Sequence, residues 1–115
     1  MKSIKALSLA AVLMFAGSAW AYRTVRFTAK ATPQLSHDNA VTVGRALARE
    51  IDAGQNRKAN SFMRFRKCNV RRGGRYITIN GMNIQEKYQY EDGDFTKVFE
   101  AVISYSNSRC EKDDD

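Results

Sequence analysis

The chain has 115 residues, with 19 Lys and Arg against 12 Asp and Glu and one histidine, for a formal charge of +7. That length holds one domain. One histidine and two cysteines without a Cys-x-x-Cys spacing leave no metal set and no dithiol redox motif, so no cofactor or metal is expected.

Residues 1–21 read as a secretory signal peptide. Lys2 and Lys5 give a positive start, and residues 6–16 are apolar apart from Ser8. Ala19-Trp20-Ala21 then puts small residues at the two positions a signal peptidase reads. The apolar run is shorter than the roughly 20 residues of a membrane span. Cleavage after Ala21 leaves a small α+β domain over residues 22–110 and an acidic tail over 111–115. No transmembrane segment remains, and the expected location is the periplasm or beyond the cell. An oxidising compartment favours a disulfide between Cys68 and Cys110; two free buried thiols are the alternative.

Residues 22–31 alternate as a half-buried strand, with Val25, Phe27, Ala29 and Ala31 on one face and Arg26, Thr28 and Lys30 on the other. Pro33 ends it, having no N–H for a ladder. Ser36 caps a helix, with Asp38 in its first turn, where the helix dipole favours negative charge. Ala40, Val43, Leu47 and Ile51 form its apolar stripe. Arg45 and Arg49 lie on its outer side, and Gly54 supplies a left-handed C-terminal cap.

Residues 62–70 read as a second strand. Met63, Phe65, Cys68 and Val70 share its core face if a β-bulge at Arg66-Lys67 repairs the phase. Gly73-Gly74 then predicts a tight turn pairing Val70 with Ile77 and Cys68 with Ile79. Asn80-Gly81 predicts a hairpin turn pairing Ile79 with Met82 and Ile77 with Ile84. Both turns put the same residues on one core face. In that register Glu86 falls opposite Arg75. Asp92-Gly93 is a third hairpin signal. Residues 94–106 read as strand or helix; their Val, Ile, Phe and Tyr content favours strand.

The resulting order is strand, helix, strand, strand, strand, strand, with the helix packed on a curled antiparallel sheet. In topology alone it resembles the cystatin-like roll.

Charge is divided unevenly. Residues 22–75 hold 13 basic and 3 acidic side chains, and residues 76–115 hold 4 and 9. Eleven of the 17 basic residues after the leader are arginine, the side chain suited to bidentate carboxylate or phosphate contacts. Arg64, Lys67, Arg71, Arg72 and Arg75, with Tyr76 beside them, form the expected binding surface. The anionic partners that suit it are an acidic protein surface or a polyanion such as nucleic acid or lipid A phosphate. The competing reading makes the same charges the solvated side of a strand.

Catalysis has less support. Ser36, His37 and Asp38 are neighbours on one helical turn and cannot take the mutual positions of a triad. Arg72-Gly73-Gly74-Arg75 lacks the spacing of a phosphate-binding loop. A secreted nuclease or toxin would draw on Glu86 or Glu100, His37 and Arg71. The expectation is therefore a non-enzymatic binding protein of inhibitor or immunity type, or a polyanion-binding module. A nuclease and a structural subunit of an envelope assembly are the alternatives.

Overall fold

The computed structural model describes residues 21–70 and 75–112. The leader, Arg71, Arg72, the Gly73-Gly74 turn and the tail from residue 113 lie outside them. Five elements follow in order: β1 (Tyr22–Lys30), α1 (His37–Asp52), α2 (Arg57–Phe65), β2 (Ile77–Glu91) and β3 (Asp94–Glu111). The fold is α+β, with two helices and one antiparallel sheet of order β1-β3-β2. It replaces the expected strand-helix-strand-strand-strand-strand order of the cystatin-like reading.

Two features of the first half follow the sequence pattern. In β1, Val25 is buried, and Phe27 and Ala29 pack against the same core. Phe27 stacks on Tyr105 of β3 with ring centroids 5.3 Å apart, a contact worth about 0.5–1.5 kcal/mol beyond its area. Ser36 caps α1 by accepting a hydrogen bond from the Asn39 N–H. Gly54, at φ 71°, closes the helix, its N–H donating to Ile51 O while that of Gln55 donates to Glu50 O. These are the two bonds of a Schellman cap.

Residues 57–65 are a helix, so the strand expected from residue 62 does not begin there. Asn56 caps it, its side-chain oxygen accepting from the Ala59 N–H at 2.7 Å. Ala59 and Met63, four residues apart, are its buried positions. Phe65, expected in the core, is 83% exposed, because helical geometry turns it away from the face that holds Met63. The expected bulge at Arg66-Lys67 is instead a second Schellman cap. Lys67 stands at φ 59° in the place glycine usually takes; its N–H donates to Arg64 O and that of Cys68 to Met63 O.

The Asn80-Gly81 hairpin is also replaced. β2 runs straight through these residues, and the register against β3 shifts between Ile79 and Gly81. The extra residue is a β-bulge. Ile77, Ile79, Met82 and Ile84 oppose Asn107, Tyr105, Ile103 and Ala101, so the four still share one face, as the expected turn also required. Glu86 therefore opposes Phe99, not Arg75, and pairs with Lys97 at 2.6 Å. The expected partners Val70–Ile77 and Cys68–Ile79 are not opposed.

Asp92-Gly93 is the true hairpin turn. Both residues have positive φ, 53° and 84°, and Glu91 opposes Asp94, the conformation of a two-residue type I′ turn. The strand reading of residues 94–106 holds. Cys110, at its end, is bonded to Cys68. A crosslink across a separation of 42 residues stabilises by about 4 kcal/mol in the chain-entropy model.

α1 packs against β2 and β3 through Gly44. A Cβ there would lie 2.5 Å from Met82 Sδ and 2.7 Å from Ala101 Cβ. Met82 has rotamers to give, but the Ala101 methyl moves only with the sheet. Gly44→Val is expected to lower unfolding free energy by about 2 kcal/mol, whereas Ala46→Val on the exposed side of α1 changes it by less than about 1 kcal/mol. Urea denaturation of the two variants measures the contrast; equal midpoints would mean that α1 does not approach the sheet this closely.

Tyr105 is fully buried, and its hydroxyl has no hydrogen-bond partner among the described residues. Burial pushes its ionisation above the ordinary tyrosine value. The folded chain thus keeps this proton at a pH where the unfolded chain loses it. Its contribution to stability is full below the unfolded value of about 10 and falls as pH rises towards the folded value. Melting curves from about pH 9 to 11.5 should decline less steeply for Tyr105→Phe than for the wild type.

Candidate anion-binding site

The last residues of β3, from Asn107 to Glu111, organise the basic residues. Successive backbone bonds tie the segment after α2 to it: Glu111 N–H donates to Lys67 O, and Asn69 N–H to Arg109 O. One residue before β2, Tyr76 O accepts from Ser108 N–H. The Cys68–Cys110 bridge lies inside this run. Buried Asn107 locks it from below. Its amide donates to Asn69 O at 2.9 Å, and its side-chain oxygen accepts from Arg109 N–H at 2.8 Å.

Arg109 lies over two tyrosine rings. Its Cζ is 4.7 Å from the centroid of Tyr22, at the start of β1, and 5.0 Å from that of Tyr76. Arg75 lies over the same Tyr76 ring at 5.9 Å. Cation–π contacts of this kind contribute about 0.5–1 kcal/mol each at exposed sites. They hold a guanidinium by its faces, and its N–H groups project from its edge. Those N–H groups are the donors that meet a carboxylate or phosphate in a fork.

The expected site residues are only partly gathered. Arg75 and Tyr76 belong to the stack. Arg64 is in the last turn of α2, where the dipole favours a cation. It lines a shallow groove beside the disulfide with Cys68, Asn69, Val70 and Glu111. Lys67 is exposed on the left-handed turn between them. Arg64 and Arg75 are therefore not neighbours on one hairpin; a helix end and a strand start bring them to the same end of the sheet. Arg109 and Tyr22 were missed. Arg109 is the one arginine after residue 75, a signal in the sequence, but its partners follow only from the sheet register.

The residues considered for nuclease chemistry do not converge. Glu86 and Glu100 are on opposite faces of the sheet, since Glu86 opposes Phe99 and Glu100 opposes Gln85. Glu100 is buried between Lys87 at 3.2 Å and Lys30 at 3.9 Å. Glu86 hydrogen-bonds Lys97, which raises the lysine's affinity for its proton. His37 is exposed, its ring edge-on to Phe99 at 6.0 Å.

Among the described residues no cluster of three histidine, cysteine or acidic side chains is placed to hold a metal ion, and no helix is long and apolar enough to cross a membrane. Compared with family models, with curated proteins and with solved structures, the chain matches none.

Proposed function

We propose that this is an exported, non-enzymatic binding protein of inhibitor or immunity type, whose cationic sheet end engages an acidic partner. The observation that carries the reading is Arg109 over the Tyr22 and Tyr76 rings, with Arg75 on the same tyrosine. An arginine already braced on two rings loses less side-chain entropy on meeting an oxyanion than a free one. The rings themselves are engaged by guanidinium groups, which favours oxyanion contacts over stacking of nucleic acid bases. Arg64 and Lys67 widen the field around the stack, and Arg71 and Arg72 fall in the segment between. Export to the periplasm or beyond is supported by the leader pattern and by the disulfide.

Two charge reversals test the reading. Arg71→Glu with Arg72→Glu, and separately Arg75→Glu, should reduce retention on both polyglutamate and heparin columns. For heparin, each lost contact should lower the slope of log affinity against log salt by about 1. Melting temperature should stay nearly constant, because exposed charges contribute under about 1 kcal/mol each. Unchanged retention of both variants would make the basic run a solvated surface. Stronger retention on heparin than on polyglutamate would point to a polyanion instead of a protein. Cleavage of RNA by the wild type, abolished by Glu86→Gln, would establish the nuclease alternative.

A further inference from the structure

A cavity of about 270 Å³ lies against β1 at the end opposite Tyr22, roughly 20 Å along the strand from the arginine stack. Thr28, Ala29 and Lys30 all line it. Consecutive side chains of a strand point to opposite faces of the sheet. A cavity that touches all three therefore follows the backbone edge of β1, not one of its faces. That edge is open: β1 is the outermost strand, and its ladder among the described residues is with β3 alone.

The opposite wall is helical. Leu47 of α1 and Ala59 and Phe62 of α2 give it an apolar surface. Phe62 is 51% exposed, so half of an aromatic ring faces solvent beside the open edge of β1. The charges around the cavity are both positive. Lys58 is exposed and makes no ion pair among the described residues, and Lys30 has only the 3.9 Å contact with Glu100. Asn56 also lines the cavity, but its oxygen caps α2 and its nitrogen donates to Glu50, so it is part of the wall.

We propose that this groove binds an extended peptide as a fourth strand along β1, one in which acidic residues alternate with apolar residues. An open edge supplies main-chain hydrogen bonds, and flanking pockets select alternate side chains. Side chains of the added strand that point inward meet Leu47, Ala59 and Phe62. Those that point outward pass Thr28 and Lys30, and Lys58 adds positive charge from the helix. The period of 2 in the ligand follows from the geometry, and its sign from the lysines. The site is separate from the Arg109 stack and does not depend on it.

The probe is a synthetic peptide of β1's length alternating glutamate with valine, titrated into the exported chain and followed by amide NMR. The control is a peptide of the same composition with its glutamates clustered at one end. Shifts are expected at Thr28, Ala29 and Lys30, with slowed exchange at Thr28 and Lys30, whose amides face the open edge while those of Ala29 and Ala31 face β3, and weaker or no response to the control. Lys58→Glu and Phe62→Ala, both at exposed positions, should each weaken binding roughly tenfold, while Arg75→Glu leaves it unchanged. Lack of binding, equal binding of the two peptides, or indifference to both groove variants would overturn the proposal. Shifts confined to Arg75, Tyr76 and Arg109 would also overturn it while supporting the arginine stack. Conversely, loss of heparin and polyglutamate retention tests the stack without reference to the groove.

Discussion

β3 must satisfy hydrogen-bonding neighbours on both of its edges, and the rest of the molecule is arranged to allow it. An 18-residue strand spans roughly 60 Å, and an isolated strand of any length leaves every backbone group without a protein partner. β1 covers one edge from residue 102 to 111, and β2 covers the other from 94 to 107. At the C-terminal end of β3, past the start of β2, residues 67–69 take its place and the disulfide fixes them there. The inward side chains Ala101, Ile103, Tyr105 and Asn107 then form a continuous floor for both helices. Gly44 is small because α1 must come close enough to close that floor.

Periodicity made β1, α1 and the core face of β2 legible, because each has one clear period and a chemically distinct terminator. The Asp92-Gly93 turn was legible for the same reason. At Asn80-Gly81 the pattern is ambiguous in principle. Inward residues change from odd numbers, Ile77 and Ile79, to even, Met82 and Ile84. A two-residue turn and a one-residue bulge both produce that change, since each shifts the alternation by one. The choice between them rests on whether a long partner strand lies downstream, and β3 is that partner. Residues 62–65 fit a strand for a related reason. Met63, Phe65 and Cys68 can be fitted to a strand by assuming a bulge, but Ala59 and Met63 behind the Asn56 cap fit a helix without one. The simpler pattern required reading a few residues further upstream.

The arginine surface shows how far sequence neighbourhood carries. Residues 67–69 of the basic segment reach the sheet end, and the cysteine pair fastens them. The residue at the centre of the stack is 34 positions beyond Arg75 in sequence. Only the antiparallel register sets Arg109 between the first strand and the start of the second. The two halves of the chain differ in charge, and they meet at the ion pair of Lys30 with Glu100. Arg75 stacks on tyrosine and Glu86 takes a lysine from its own hairpin.

Beyond Val98 the sheet narrows to two strands, because the chain before α1 makes its last contact with β3 at the bridge between Gln34 and Phe99. A two-stranded ribbon is marginal by itself in water. Here it carries Tyr88, Tyr90 and Phe95 largely exposed, with Tyr90 and Phe95 touching at 5.1 Å. The molecule thus divides into two cooperative units of unequal tenacity. Backbone amides of residues 87–98 are expected to exchange with solvent by fraying from the Asp92-Gly93 tip, and those of residues 101–107 only on global unfolding. A protease that needs several extended residues would meet the ribbon first and could trim it while the disulfide-fastened end stays folded.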